Sequence, residues 1–201
     1  FRIVLLAAVF VHIVTAILLK KENRAARPEN YHVKAHVASS GASRYAMWSG
    51  MVILAFIIFH ILHFTTRTVF PEFSALLHER FNGVIQIDAY AMMVWGFSSK
   101  FWYVSLFYIV SMLMLVWHLS HGISSMFQTL GFRNEKWRYR LDRIALAYGL
   151  IVTIGFISVP TAVIVSENTG TSLVEFEIIQ QSLENWDGQD DIYIDYPESN
   201  H

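Results

Sequence analysis

FWYVSLFYIVSMLMLVWHLSHGISSMF, Phe101–Phe127, is the stretch that decides the fold. It holds no Asp, Glu, Lys or Arg, and only Ser105, Ser111, Ser120, Gly122, Ser124 and Ser125 interrupt it with small or polar groups. A helix needs about 20 predominantly apolar residues to cross the hydrocarbon core of a bilayer, and this run exceeds that. Working outward, three more runs meet the same requirement. Phe1–Leu19 is apolar except for Arg2, His12 and Thr15; Tyr45–Phe64 is apolar except for Ser49 and two histidines; Ile144–Val165 carries no charge and includes Gly149, Gly155 and Pro160. The chain is 54% hydrophobic with a mean hydropathy of +0.40, too apolar for a disordered chain or an ordinary soluble domain. The expected class is all-α: a transmembrane helical bundle with four spans visible.

Charge placement sets the expected topology. Lys20, Lys21, Arg24, Arg27, Lys34 and Arg44 flank the first connection, and Arg133, Lys136, Arg138, Arg140 and Arg143 flank the third; together they are eleven of the fifteen Lys and Arg residues. Cytoplasmic connections carry such an excess, so loops 20–44 and 131–143 belong inside. The second connection, Thr65–Lys100, then faces outward, with a short amphipathic or re-entrant element expected around Val84–Phe97. The chain beyond Arg143 has no Lys or Arg and nine acidic residues. Residues 1–165 therefore read as the bundle and 166–201 as an acidic extracytoplasmic tail. Phe1 already lies within an apolar run, so a further upstream span is expected, making five.

Five of the nine histidines, His12, His60, His63, His118 and His121, fall inside these runs. An ionisable ring in hydrocarbon is costly without a partner and reads as functional by default. Two imidazoles from different helices clamping one iron would satisfy them. His12 lies eight residues before Lys20, about 12 Å from the inner boundary at 1.5 Å per residue. His118 lies ten before Gln128, about 15 Å from the same side. This matched depth lets the two grip one iron from opposite faces. His60, sixteen residues beyond Arg44 and about 24 Å deep, is too far outward to share it. His60 and His63, like His118 and His121, are three apart and project from one helical face. At most one of each pair can ligate a given iron, which leaves His63 and His121 as supporting groups or alternative ligands. His32, His36, His78 and His201 lie outside the runs. Zero cysteines exclude disulfides, iron–sulfur ligation and c-type haem attachment by this chain.

Leu5, His12 and Ile13 followed by Asn23-Arg24-Ala25-Ala26-Arg27-Pro28 and Tyr31, then His60-Ile61-Leu62-His63-Phe64-Thr65, form the first part of a familiar order. His118-Leu119-Ser120-His121-Gly122 running into Ser125-Met126-Phe127-Gln128-Thr129-Leu130-Gly131 comes next, and Gly155-Phe156-Ile157-Ser158-Val159-Pro160 is expected to close the last helix. In this order and spacing, up to about Val165, the chain resembles the single-chain cytochrome b subunits of succinate dehydrogenase, the membrane anchors of complex II. The acidic tail adds nothing to the likeness.

The resemblance implies a five-helix subunit of a bacterial cytoplasmic membrane with one or two b haems, one axial His on each of the first four helices. By position His12 and His118 match the ligands of the haem nearer the cytoplasm. His60 matches one ligand of the outer haem, whose other ligand sits on a helix preceding this sequence. His60 stands ten residues after Gly50 and His118 twelve before Leu130, as the family ligands do relative to equivalent landmarks. The implied partners are a flavoprotein and an iron–sulfur subunit, membrane lipids and a quinone, either menaquinone or ubiquinone, and not nucleic acid. Candidate quinone contacts at the cytoplasmic mouth of the second span are Ser43, Arg44, His36 and Tyr31. Ser43 as a helix cap and Arg44 as a headgroup anchor are the plainer roles. Two other readings stay open: a di-haem cytochrome b of nitrate reductase or formate dehydrogenase type, and a proton-coupled transporter using the histidines as a relay.

Overall fold

The computed structural model describes residues 1–26, 45–79, 85–170 and 176–194. Ser43, Arg44, His36 and Tyr31 lie outside the described residues, as do His32 and His201. The chain divides into two units, Phe1–Ser39 and Ser40–His201. The described residues of the first unit form α1 (Arg2–Ala25), about 36 Å long at the α-helical rise, with His12 near its middle. The Thr15 hydroxyl is absorbed within it, donating to Val11 and His12 carbonyls at 2.9 and 3.0 Å, so this polar group does not disturb an apolar span.

The second unit begins with α2 (Ala46–His60), which runs on through a π-helical turn, Ile61–Thr65. The second connection holds α3 (Ala89–Gly96), and after it come α4 (Trp102–Thr129), α5 (Glu135–Thr169) and the tail helix α6 (Phe176–Glu184). With α1, three of these helical stretches, Ala46–Thr65, Ser99–Thr129 and Glu135–Thr169, are long and apolar enough to cross a membrane, four in all among the described residues. The all-α bundle expected from the sequence is what is found, and it marks a membrane protein.

α4 and α5 form an antiparallel hairpin. Gly131 takes φ +78° in the turn, a conformation glycine adopts without steric cost, and the Asn134 side chain caps α5 by accepting from Trp137 N at 3.0 Å. Within the hairpin a methyl group at Gly149 would lie 3.3 Å from the Val116 carbonyl oxygen, so small size is what lets the two backbones approach. Thr153 donates across the same seam to the Met112 carbonyl at 3.1 Å.

Two expectations are corrected. Gly155–Pro160 does not close the last helix: Pro160 is buried inside α5, which continues to Thr169 and ends at Gly170 with φ +62°. Proline removes one backbone hydrogen bond but does not forbid helix on its far side when neighbouring helices hold it. The element near Val84–Phe97 is also not amphipathic. It comprises a short strand and α3, of which Ala91, Met92, Val94, Trp95 and Gly96 are buried; Asp88 caps α3 by accepting from Tyr90 N and Ala91 N, both at 2.9 Å.

The second connection and the tail fold together. β1 (Leu76–Glu79) pairs antiparallel with β2 (Ile85–Ile87) and parallel with β3 (Ile192–Tyr193), giving strand order β2-β1-β3. α6 packs on α3, and Phe73, Leu76, Ala91, Val94, Ile179 and Ile192 form an apolar core continuous with Val104 and Tyr108 of α4. The two segments therefore share one side of the membrane. Ser99 N donates to Glu167 Oε2 at 2.6 Å, fixing the start of α4 to the end of α5 beneath this cap.

Candidate functional site: a histidine-lined cavity under the cap

Both His60 and His63 reach one hydroxyl. Tyr108 Oη of α4 lies 3.3 Å from His60 Nδ1 and 3.0 Å from His63 Nδ1. The expectation that this i, i+3 pair shares a face is met, and the π-turn containing His63 is part of how it is met; such turns recur at functional positions in helices. Their surroundings differ. His63 is wholly buried, its ring packed among Phe64, Phe70, Phe73 and Phe97 at centroid distances of 4.1 to 6.2 Å. Its Nε2 has no hydrogen-bond partner and faces Gly96, where a Cβ would come within 2.9 Å. No ligand can approach that nitrogen in this arrangement. His60 is exposed.

His60 lines a largely apolar cavity of about 620 Å³ between α2, α3, α4 and α5. Phe56, Phe64, Met92, Met112 and Phe156 are among its walls, Pro160 contributes from α5, and Arg67 adds a positive charge to the lining. Arg67 follows the π-turn with φ +57°, an uncommon conformation for a residue with a side chain, and its Nε donates to Ser74 Oγ at 3.2 Å. An apolar space of this size with a few convergent polar groups is the usual form of a cofactor or ligand site. Sequence reading found His60 and His63 but missed Tyr108 and Arg67. Tyr108 falls three residues after Ser105 on the buried face of α4, which a helical-wheel reading of that run could have shown.

His118 sits deeper along α4. Its Nδ1 lies 3.2 Å from Ser49 Oγ of α2, and that hydroxyl already donates to the Ala46 carbonyl at 3.0 Å. With its hydrogen committed there, the Ser49 oxygen accepts from His118 Nδ1–H, which puts the ring's lone pair on Nε2. Gly50 makes the close contact possible: a Cβ there would stand 3.2 Å from His118 Cε1. Ser49 was legible in the sequence only as a polar break in a span. His12 belongs to the first unit and His118 to the second. His121, one turn beyond His118, is half-buried.

The histidines suit a haem in the respect that matters for ligation. Imidazole binds iron through one nitrogen while the other donates to a fixed acceptor that sets tautomer and ring orientation. Ser49 provides that acceptor for His118, and Tyr108 stands in the same place for His60. The cavity beside His60 offers apolar walls for a flat macrocycle and a cation suited to a carboxylate substituent. Among the described residues no cluster of three or more His, Asp or Glu is placed to hold a bare metal ion, and a pair of rings on separate helices is a different kind of site. No protein-family model, curated protein or solved structure matches this chain.

Proposed function

We propose that this chain is the haem-carrying membrane anchor of a succinate:quinone oxidoreductase, passing electrons from an iron–sulfur partner to quinone in a bacterial cytoplasmic membrane. One observation carries the reading: two histidines on different spans each have Nδ1 engaged by a hydroxyl of a neighbouring helix, and one of them borders an apolar cavity of about 620 Å³. A proton relay has no need of that cavity. A haem ligand needs both.

In this reading His12 and His118 hold the inner haem, and His60 is a ligand of the outer one. His63 and His121 are supporting groups. Bound in these places, b haem supplies one-electron transfer at a potential set by its ligands and their hydrogen bonds. The chain's own work is to orient the rings, exclude water with Phe56, Phe64 and Phe156, and offer Arg67 to a carboxylate. Loops 20–44 and 131–143 face the cytoplasm and dock the flavoprotein and iron–sulfur subunits; the clusters belong to the latter, since thiolates hold them and the residues here include no cysteine. Ser43, Arg44, His36 and Tyr31 are the candidate quinone contacts there.

A reduced-minus-oxidised optical spectrum of the purified complex tests this directly. A sharp b-type band is expected, with the inner component lost or strongly perturbed in His118→Ala. A colourless preparation sinks the proposal and favours the proton-coupled transporter. Co-purification with a molybdenum enzyme in place of a flavoprotein would assign the chain to the other di-haem class.

A further inference from the structure

Tyr108 Oη is shared by two imidazoles, and it has a single proton to give. If the hydroxyl donates to one Nδ1, the other Nδ1 must donate to it, so the two neutral rings carry opposite tautomers. The two distances choose the direction. An O–H donor makes shorter hydrogen bonds than an N–H donor, and the contact of Tyr108 Oη with His63 Nδ1, 3.0 Å against 3.3 Å for His60 Nδ1, is the shorter of the two. His63 therefore carries its proton on Nε2 and accepts at Nδ1 from the Tyr108 hydroxyl at 3.0 Å. The Tyr108 oxygen in turn accepts from His60 Nδ1–H at 3.3 Å, and the lone pair of His60 is left on Nε2.

We infer that Tyr108 is a positioning residue for His60, and that His63 is the terminal acceptor of a chain that holds His60 in the one tautomer able to ligate metal through Nε2. This rests on the haem reading of the cavity and deepens it. His63 is then not a spare ligand. Gly96 is what gives His63 room, since a Cβ at that position would stand 2.9 Å from Nε2. Donation from Nδ1–H makes a ligating imidazole more basic and so favours the oxidised iron.

The test is a redox titration of the purified complex followed by its b-type absorbance, with haem content measured alongside. Tyr108→Phe, which removes the acceptor, is expected to raise the midpoint potential of the outer component and leave the inner one in place. His63→Asn keeps an acceptor where Nδ1 stood and is expected to retain the wild-type potential. His63→Leu removes it, frees the Tyr108 hydroxyl to donate to His60 Nδ1, and is expected to lower outer haem content. A merely structural role for Tyr108 predicts no difference between the two His63 variants. Equal behaviour of Asn and Leu, or an outer potential unmoved in Tyr108→Phe, overturns this inference alone; a colourless wild-type complex overturns it together with the haem reading.

Discussion

Gly96 has no room for a methyl group: a Cβ would stand 2.9 Å from His63 Nε2 and 3.0 Å from Phe73 Cζ, and both rings are held by packed neighbours. Gly96→Ala is therefore expected to destabilise the cap by about 1–3 kcal/mol, the usual cost of overpacking a filled core, read as a lower midpoint in thermal unfolding of the detergent-solubilised protein. Gly122→Ala is the control, because nothing lies within 4 Å of its Cβ position; it should leave the midpoint unchanged or raise it slightly through helix propensity. The intramembrane histidines were legible at this scale because an ionisable ring in an apolar run is conspicuous. Their hydroxyl partners were not. Ser49 and Tyr108 look in sequence like any polar break and any aromatic residue, and only the crossing of α2 with α4 brings them to the rings.

At the scale of elements, the α4–α5 hairpin is closed at its turn by Asp142, which pairs with Arg133 at 3.0 Å and accepts from Ser124 Oγ at 2.5 Å. The two charged side chains are 25% and 42% exposed, so solvent screening limits the pair. Asp142→Asn is expected to cost no more than about 1 kcal/mol, and high salt should shrink the difference from wild type in the same unfolding assay. In the turn after α6, backbone N–H groups of Gln189 and Asp190 hold the Asp187 carboxyl below its ordinary range. A lowered carboxyl stabilises the turn fully above pH about 4 and ceases to do so as pH falls through the native value. Limited proteolysis near Gly188 should therefore accelerate on acidification, and Asp187→Ala should show the faster cleavage already at neutral pH. Helix existence was plain from the apolar runs, whereas the end of α5 was not. Pro160 reads locally as a stop, yet it and Val163 are buried within a helix that continues to Thr169.

For the whole molecule, the parallel pairing of Leu76 with Ile192 and Leu77 with Tyr193 requires the second connection and the tail to occupy one side of the bilayer. The chain has no cysteine, so single introduced cysteines report sidedness cleanly. Ile85→Cys and Tyr193→Cys, at exposed positions of the cap, should react with a membrane-impermeant thiol reagent from one face, and Phe132→Cys in the α4–α5 turn only from the opposite face. Labelling of all three from the same face would refute the membrane-crossing hairpin. The run of apolar residues along the chain determined that there are four apolar spans, because burial of side chains in hydrocarbon is a sum over residues that needs no knowledge of contacts. Tertiary structure decided what that sum does not contain: that the tail folds onto the second connection, that His63 is sealed among aromatic rings while His60 borders a cavity, and that single hydroxyls orient the histidine rings. The strand pairing and the hydroxyl contacts join residues 45 to 116 positions apart in the chain, and such pairings are set by how helices cross and strands register.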